Sequence, residues 1–87
     1  MISIKEAFEL ATNCIGKPNF CIEYKNYFVM ETLSENASEG GQGRVAISKT
    51  NGECCTFIAV IGKLGDELHW FSIDSEGNFW EVPIDED

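Results

Sequence analysis

Two apolar runs flank the dipeptide Asn51-Gly52 within residues 44–61, RVAISKTNGECCTFIAVI. Asn-Gly is a strong β-hairpin signal because both residue types tolerate a positive φ. A two-residue turn at this dipeptide predicts that Ile47 faces Thr56 on the opposite strand. The second run is apolar on both of its faces, which is typical of a central strand. We therefore expect this hairpin to be the spine of a small sheet.

The N-terminal segment has the periodicity of an amphipathic helix. Ser3 and Glu6 have the spacing of a capping box, and Gly16 is a typical C-terminal stop. The apolar positions between them recur every three or four residues: Ile4, Ala7, Phe8, Ala11, Cys14 and Ile15. These patterns predict a helix over residues 3–15.

Residues 20–33 are rich in aromatic and β-branched types and predict β-structure. Either Lys25-Asn26 forms a tight turn between two short strands, or the segment is one long bent strand; we favour the hairpin. The small, polar, glycine-rich residues 34–43 predict a loop.

The C-terminal part predicts a closing hairpin, with strands at 68–74 and 79–82 and a turn at Glu76-Gly77. Together these elements predict one domain over residues 1–87. Its class is α+β, with one N-terminal helix packed on an antiparallel β-meander of about five to six strands.

A single helix covers only part of one face of such a sheet. On the hairpin at 44–61, the second face is also apolar, with Ala46, Cys55, Phe57, Ala59 and Ile61. An apolar face of this kind marks an interface unless the chain covers it. Either a partner protein or a second copy lies on it, or a curled sheet or long loop of the chain does.

The charge balance is strongly acidic, with fifteen Asp and Glu against six Lys and Arg and a net charge of −9. Eight of the acids lie between Leu64 and the C-terminus, where there is no Lys or Arg. Such a chain repels phosphates, so we expect no direct nucleic-acid binding. It attracts basic proteins, although acidity also serves solubility alone.

No apolar run approaches the roughly 20 residues of a membrane span. The N-terminus lacks the basic-then-apolar order of a signal peptide. We therefore expect a cytoplasmic protein of bacterial type, without a membrane partner, whose cysteines are reduced.

The four cysteines, Cys14, Cys21, Cys54 and Cys55, lack the close pairing of metal ligands. We expect buried, reduced thiols, with Cys54 and Cys55 pointing to opposite faces of a strand. The single histidine, His69, is the one candidate base for a Cys–His hydrolase. Cys14 lies at the C-terminal end of the predicted helix, where the dipole disfavours a thiolate, and the other three cysteines lie in strands with no local activating cation. We therefore predict no catalytic residue, metal or cofactor, and no enzyme.

Aromatic residues among carboxylates are typical of interface anchors. With a two-residue turn at Glu76-Gly77, Trp80 and Val82 share a face with Phe71, opposite Trp70 and Phe79; a slip of one residue reverses these faces. We expect the partner-binding residues to be the aromatic side chains Trp70, Phe79, Trp80 and Phe57 with the carboxylates Asp66, Glu67, Asp74, Glu76 and Glu81.

The middle of the chain resembles the YrhB-type immunity-protein domain over residues 3–57. The resemblance rests on Glu23-Tyr24, Tyr27-Phe28-Val29-Met30, the glycine loop, and the spacing of Val45, Lys49-Thr50 and Gly52-Glu53. The family usually has a proline just after the loop glycines, where this chain has Arg44-Val45. The resemblance implies a protein that neutralises a cognate toxin by binding it. A chaperone-like role is also attached to the family, and it offers no catalytic residues.

These observations predict a small acidic protein-binding module, an immunity-type or inhibitor protein that occludes a basic toxin or effector. One alternative is a phage-encoded acidic protein that imitates nucleic acid and thereby inhibits a host enzyme. Another is a homodimeric structural or chaperone-like module joined through the face that carries Phe57.

Overall fold

A computed structural model describes residues 1–32, 44–74 and 76–83. The predicted loop at 34–43 and the acidic end at 85–87 lie outside the described residues. The elements, in chain order, are α1 (Ile4–Ile15), β1 (Phe20–Tyr24), β2 (Tyr27–Glu31), β3 (Arg44–Ser48), β4 (Cys54–Thr56), α2 (Phe57–Val60), a 3₁₀ turn (Ile61–Lys63), β5 (Glu67–Ile73) and β6 (Phe79–Val82). The predicted α+β class is confirmed.

The capping box fixes the start of α1. The backbone N–H of Glu6 donates to Ser3 Oγ at 3.2 Å, and the backbone N–H of Ser3 donates to Glu6 Oε1 at 2.9 Å. Ala7 and Ala11 are fully buried against the sheet. Cys14 was expected in the same apolar stripe but is exposed.

The six strands form one antiparallel sheet in the order β4-β3-β2-β1-β5-β6. The register of β1 on β2 pairs Glu23 with Phe28, which leaves Lys25 and Asn26 in the predicted tight connection. The centre of the sheet is therefore the β1–β2 hairpin and not the hairpin at 44–61, since β5 pairs with the free edge of β1 and leaves β4 at an edge.

The prediction of a long strand after Asn51-Gly52 was wrong. β4 has three residues, and the chain then enters α2, where Thr56 Oγ1 accepts from the backbone N–H of Ala59. Ile47 pairs with Cys54 and not with Thr56, a shift of two residues that preserves the faces.

The shift arises because the connection has four residues, 49–52. Asn51 Oδ1 accepts from the backbone N–H of Glu53 at 3.0 Å, and Gly52 alone takes a positive φ, of 76°. A two-residue type I′ turn needs a positive φ at both central positions.

The sheet has two apolar faces, each with its own cluster. On the first face, called here the helix face, the residues buried with α1 are Ala7, Ala11, Cys21, Phe28, Met30, Val45, Ile47 and Ile73. On the second face, Val60 and Leu64 pack against Val29 and Ala46. The segment from α2 to Leu64 thus covers the β2–β3 half of the second face. The chain itself supplies the cover there, and no partner is needed for that half.

The register of the closing hairpin is shifted by one residue from the register predicted with a two-residue turn. Ile73 pairs with Phe79, and the connection between them is held by Asp74, whose Oδ1 accepts from the backbone N–H groups of Glu76 and Asn78 at 2.9 Å each. This longer turn, unlike the predicted two-residue turn at Glu76-Gly77, reverses the faces of β6.

Candidate functional site

Apart from Tyr24 at the end of β1, the residues that β1, β5 and β6 contribute to the second face lie outside the cluster covered by α2. We call its apolar residues the aromatic strip: Phe20, Ile22, Trp70, Trp80 and Val82. Four of them are partly buried and Trp80 is exposed. The contacts of α2 are with β3 and β4. The aromatic strip is therefore the part of the second face that the described residues leave open.

Trp70 is the fixed residue of the strip. The strand registers place it between Ile22 on β1 and Val82 on β6. Its ring meets Phe20 edge to face, with centroids 5.7 Å apart, and its Nε1–H donates to the carboxylate of Glu67. These contacts orient the indole and place one carboxylate directly beside the apolar surface.

Trp80 is the exposed residue of the strip, with half of its side chain accessible to solvent. It lies on the edge strand β6, opposite Ser72 on β5, and Phe20 follows in the same row on β1. The small Ser72 thus separates two large aromatic side chains. A solvent-exposed indole in an apolar surface is the type of side chain that dominates binding energy at protein interfaces.

The electrostatic surroundings of the strip are acidic. The carboxylate of Glu67 lies at Trp70, and β5 and β6 carry no Lys or Arg. Burial, followed by the negative charge of Glu67, raises the pKa of the nearby Tyr24 phenol above its ordinary value. The strip therefore presents aromatic rings next to negative charge, an arrangement that suits a cationic partner surface.

Two of the basic side chains are engaged elsewhere. Arg44 Nη2 lies 2.8 Å from Glu31 Oε1, and its guanidinium lies 5.0 Å from the centroid of the Phe57 ring. Lys49 Nζ lies 2.6 Å from Glu23 Oε2. Phe57 was expected on an open face. It is instead partly buried in the second-face cluster, and the guanidinium of Arg44 lies over its ring.

One predicted aromatic anchor, Phe79, and one predicted carboxylate, Glu81, lie on the helix face. Phe79 is partly buried and packs edge to face on Phe71, with centroids 6.2 Å apart. Glu81 Oε2 lies 2.8 Å from His69 Nδ1. The register slip that places Trp80 on the same face as Trp70 turns Phe79 and Glu81 away from the strip.

The other three predicted carboxylates lie at the ends of β5. Asp66 precedes the strand and is exposed, and its backbone carbonyl accepts from the N–H of Lys25 at 2.8 Å. Glu76 is exposed in the turn after the strand. Asp74 is part of that turn, and the hydrogen bonds from Asn78 and Glu76 lower the pKa of its carboxyl group. Asp66 and Glu76 are therefore surface charges, whereas Asp74 stabilises the turn between β5 and β6.

Sequence reasoning missed Phe20, Ile22 and Val82 as members of the strip. The alternation of Phe20 and Ile22 about Cys21 would have placed them on one face. Their position beside Trp70 depends on the pairing of β1 with β5, which joins residues about fifty positions apart and leaves no local pattern.

Cys21 and His69 differ in their exposure to solvent, since Cys21 is buried and His69 is exposed. Burial raises the pKa of the Cys21 thiol to about 12, so this group stays protonated at neutral pH. His69 and Glu81 form an exposed pair on the helix face. Among residues 1–32, 44–74 and 76–83, no three His, Cys, Asp or Glu side chains form a group able to hold a metal ion.

In the part of the chain that the structure describes, no helix has the length and apolar character needed to cross a membrane. Nothing among protein-family models, curated proteins or solved structures matches this chain.

Proposed function

We propose that this protein binds a basic protein through the aromatic strip and blocks that partner by occlusion, as an immunity-type or inhibitor protein does. The observation that carries the proposal is the half-exposed Trp80, which lies on the same face as the fixed Trp70, on the half of the sheet that the described residues leave open. The net charge of −9 favours a cationic partner over any other.

The two tryptophans have different roles in this proposal. Trp70, held by Phe20 and Glu67, provides an apolar contact surface of fixed orientation. Trp80 loses its remaining exposure when the partner covers it, and the desolvation of a large aromatic side chain is where binding energy concentrates. The resemblance of residues 3–57 to the YrhB-type immunity domain stays a prediction in line with this role.

The test compares two exposed apolar side chains on the immobilised protein. Trp80→Ser removes the proposed anchor, whereas Ile58→Ser is the matched control, because Ile58 on α2 is 82% exposed and lies outside the strip. A basic protein captured from the native host is purified, and its affinity is measured for the parent chain and both variants. We expect Trp80→Ser to weaken binding by about 30-fold, equivalent to about 2 kcal/mol, and Ile58→Ser to leave it unchanged.

Equal affinity for the parent and Trp80→Ser, or capture of acidic proteins alone, contradicts the proposal. Two other outcomes reassign the strip. A captured nucleic-acid enzyme released by free DNA or RNA favours the alternative of an acidic inhibitor that imitates nucleic acid. A stable dimer in sedimentation that Trp80→Ser disrupts favours a second copy as the occupant.

A further inference from the structure

Two of the four cysteines contact each other at the surface. Cys14 lies in the last turn of α1, Cys54 begins β4, and both are exposed. Their thiols form a hydrogen bond, and the partial burial of the Cys54 thiol, followed by this hydrogen bond, raises the pKa of Cys54 to about 11. Neither residue belongs to the aromatic strip, so the inference is independent of the proposed function.

The packing of α1 beside β4 explains the contact. A methyl group added to Gly52 would lie 3.2 Å from Leu10 Cδ1, which places the turn before β4 against the middle of α1. Cys14 lies one helical turn after Leu10, about 6 Å along the axis. Cys54 lies two residues after Gly52, about 6–7 Å along an extended chain. From the contact of Leu10 with Gly52, the helix and the strand thus advance by similar distances to Cys14 and Cys54, in agreement with the contact between the two thiols.

The other two thiols are directed elsewhere. Cys21 is fully buried in the core beneath α1. Cys55 points to the opposite face from Cys54 and packs in the second-face cluster with Val29 and Ala46. Geometry thus selects one pair out of the four cysteines.

We propose that Cys14 and Cys54 form a redox site, at which reaction with a low-molecular-weight disulfide such as oxidised glutathione creates a covalent link between α1 and β4. One protein thiolate attacks a sulfur of the glutathione disulfide and releases one glutathione thiolate, which leaves a mixed disulfide. The second protein thiolate then attacks the protein sulfur of that mixed disulfide and releases the second glutathione. Two protein thiols are oxidised to one disulfide, and one glutathione disulfide is reduced to two glutathione molecules.

The link closes a loop that contains β1, β2 and β3. It restricts the unfolded chain, and it ties the edge strand β4 to the helix at the point where the chain turns into α2. We therefore expect the oxidised protein to melt at a temperature higher by roughly 10 °C or more.

The experiment exposes the full reduced chain to oxidised glutathione and measures its intact mass without reduction. The expected product has lost the mass of two hydrogen atoms and carries no glutathione, and peptide mapping joins Cys14 to Cys54. Cys55→Ser is the matched control and forms the same link. Cys14→Ser forms no internal link, accumulates the mixed disulfide on Cys54, and shows no oxidant-dependent rise in melting temperature.

Three results overturn the proposal: a link that involves Cys21 or Cys55, glutathione adducts on Cys14 and Cys54 without a link, and a mass that oxidant leaves unchanged. If Cys14→Ser is too unstable to study, Cys14→Ala serves in its place, and the peptide map of the parent chain decides by itself.

Discussion

The ion pair between Lys49 and Glu23 is the charge interaction whose removal should be most costly. The two groups are 2.6 Å apart, and their side chains are only 9% and 21% exposed. Lys49 Nζ also lies 4.9 Å from the centroid of the Phe28 ring. The ammonium group therefore has little water to replace a lost carboxylate.

Glu23→Gln tests this environment, because it keeps the shape of the side chain and removes its charge. Loss of one partner of a buried pair costs about 3–5 kcal/mol, and the remaining exposure of Glu23 reduces our expectation to about 2–3 kcal/mol. For a chain of this size, that cost lowers the melting temperature by about 10 °C or more. Glu81→Gln is the matched control, since the His69–Glu81 pair is exposed and its removal should cost less than about 1 kcal/mol.

A double variant, Lys49→Met combined with Glu23→Gln, tests the same ion pair. It removes the buried cation, while the backbone N–H of residue 49 still donates to Asn26 and its carbonyl still accepts from Ile2. We expect the double variant to recover most of the stability that Glu23→Gln loses, as followed by urea unfolding. A cost below about 1 kcal/mol for Glu23→Gln, with no recovery in the double variant, would refute a buried pair at this position.

Two further outcomes follow from the acids around β5. Asp66 and Glu76 are surface charges, so Asp66→Asn combined with Glu76→Gln should slow association with a basic partner at low salt. The same double variant should reduce the salt dependence of the on-rate in stopped-flow measurements. An unchanged on-rate and salt slope would reject electrostatic steering. Asp74→Ala should lower the melting temperature at neutral pH more than at pH 3. The pKa of Asp74 is lowered in the folded state, so its stabilisation is present above its unfolded pKa and is lost as the pH falls through the folded value; an equal effect at both pH values would contradict this role.

The local elements of the fold are predictable from the sequence because short-range chemistry determines them. Ser3 and Glu6 define the start of α1, and Gly16 ends it with a φ of 83°. The tight connection at Lys25 and Asn26 follows from the aromatic strands on either side. These features depend on residues within a few positions of each other.

The entry into α2 was missed because β-branched and aromatic residues outweighed the helical spacing. Phe57 and Ile58 favour strand by propensity, yet Val60 and Leu64 are both buried at an interval of four. That interval, preceded by Thr56 as an N-cap, was the available signal. Tertiary packing on Val29 and Ala46 decides the conformation.

The composition of the candidate site was only partly predictable. The sequence indicated Trp70 and Glu67, which the structure brings into contact, and Trp80, which lies on the same face as Trp70. It did not indicate Phe20, because the β1–β5 pairing is long-range, and it misplaced Phe79, because the side chain of Asp74 lengthens the turn and shifts the register. A single residue of slip reverses every side chain on a strand.

The central claim is that the aromatic strip is the surface a basic protein covers. Hydroxyl-radical footprinting of the Trp80 side chain, free and with the captured partner bound, tests it most directly, with Ile58 as the internal reference. We predict that labelling of Trp80, half exposed in the free protein, falls several-fold in the complex while labelling of Ile58 stays constant. Unchanged labelling of Trp80 in a saturated complex would contradict the claim.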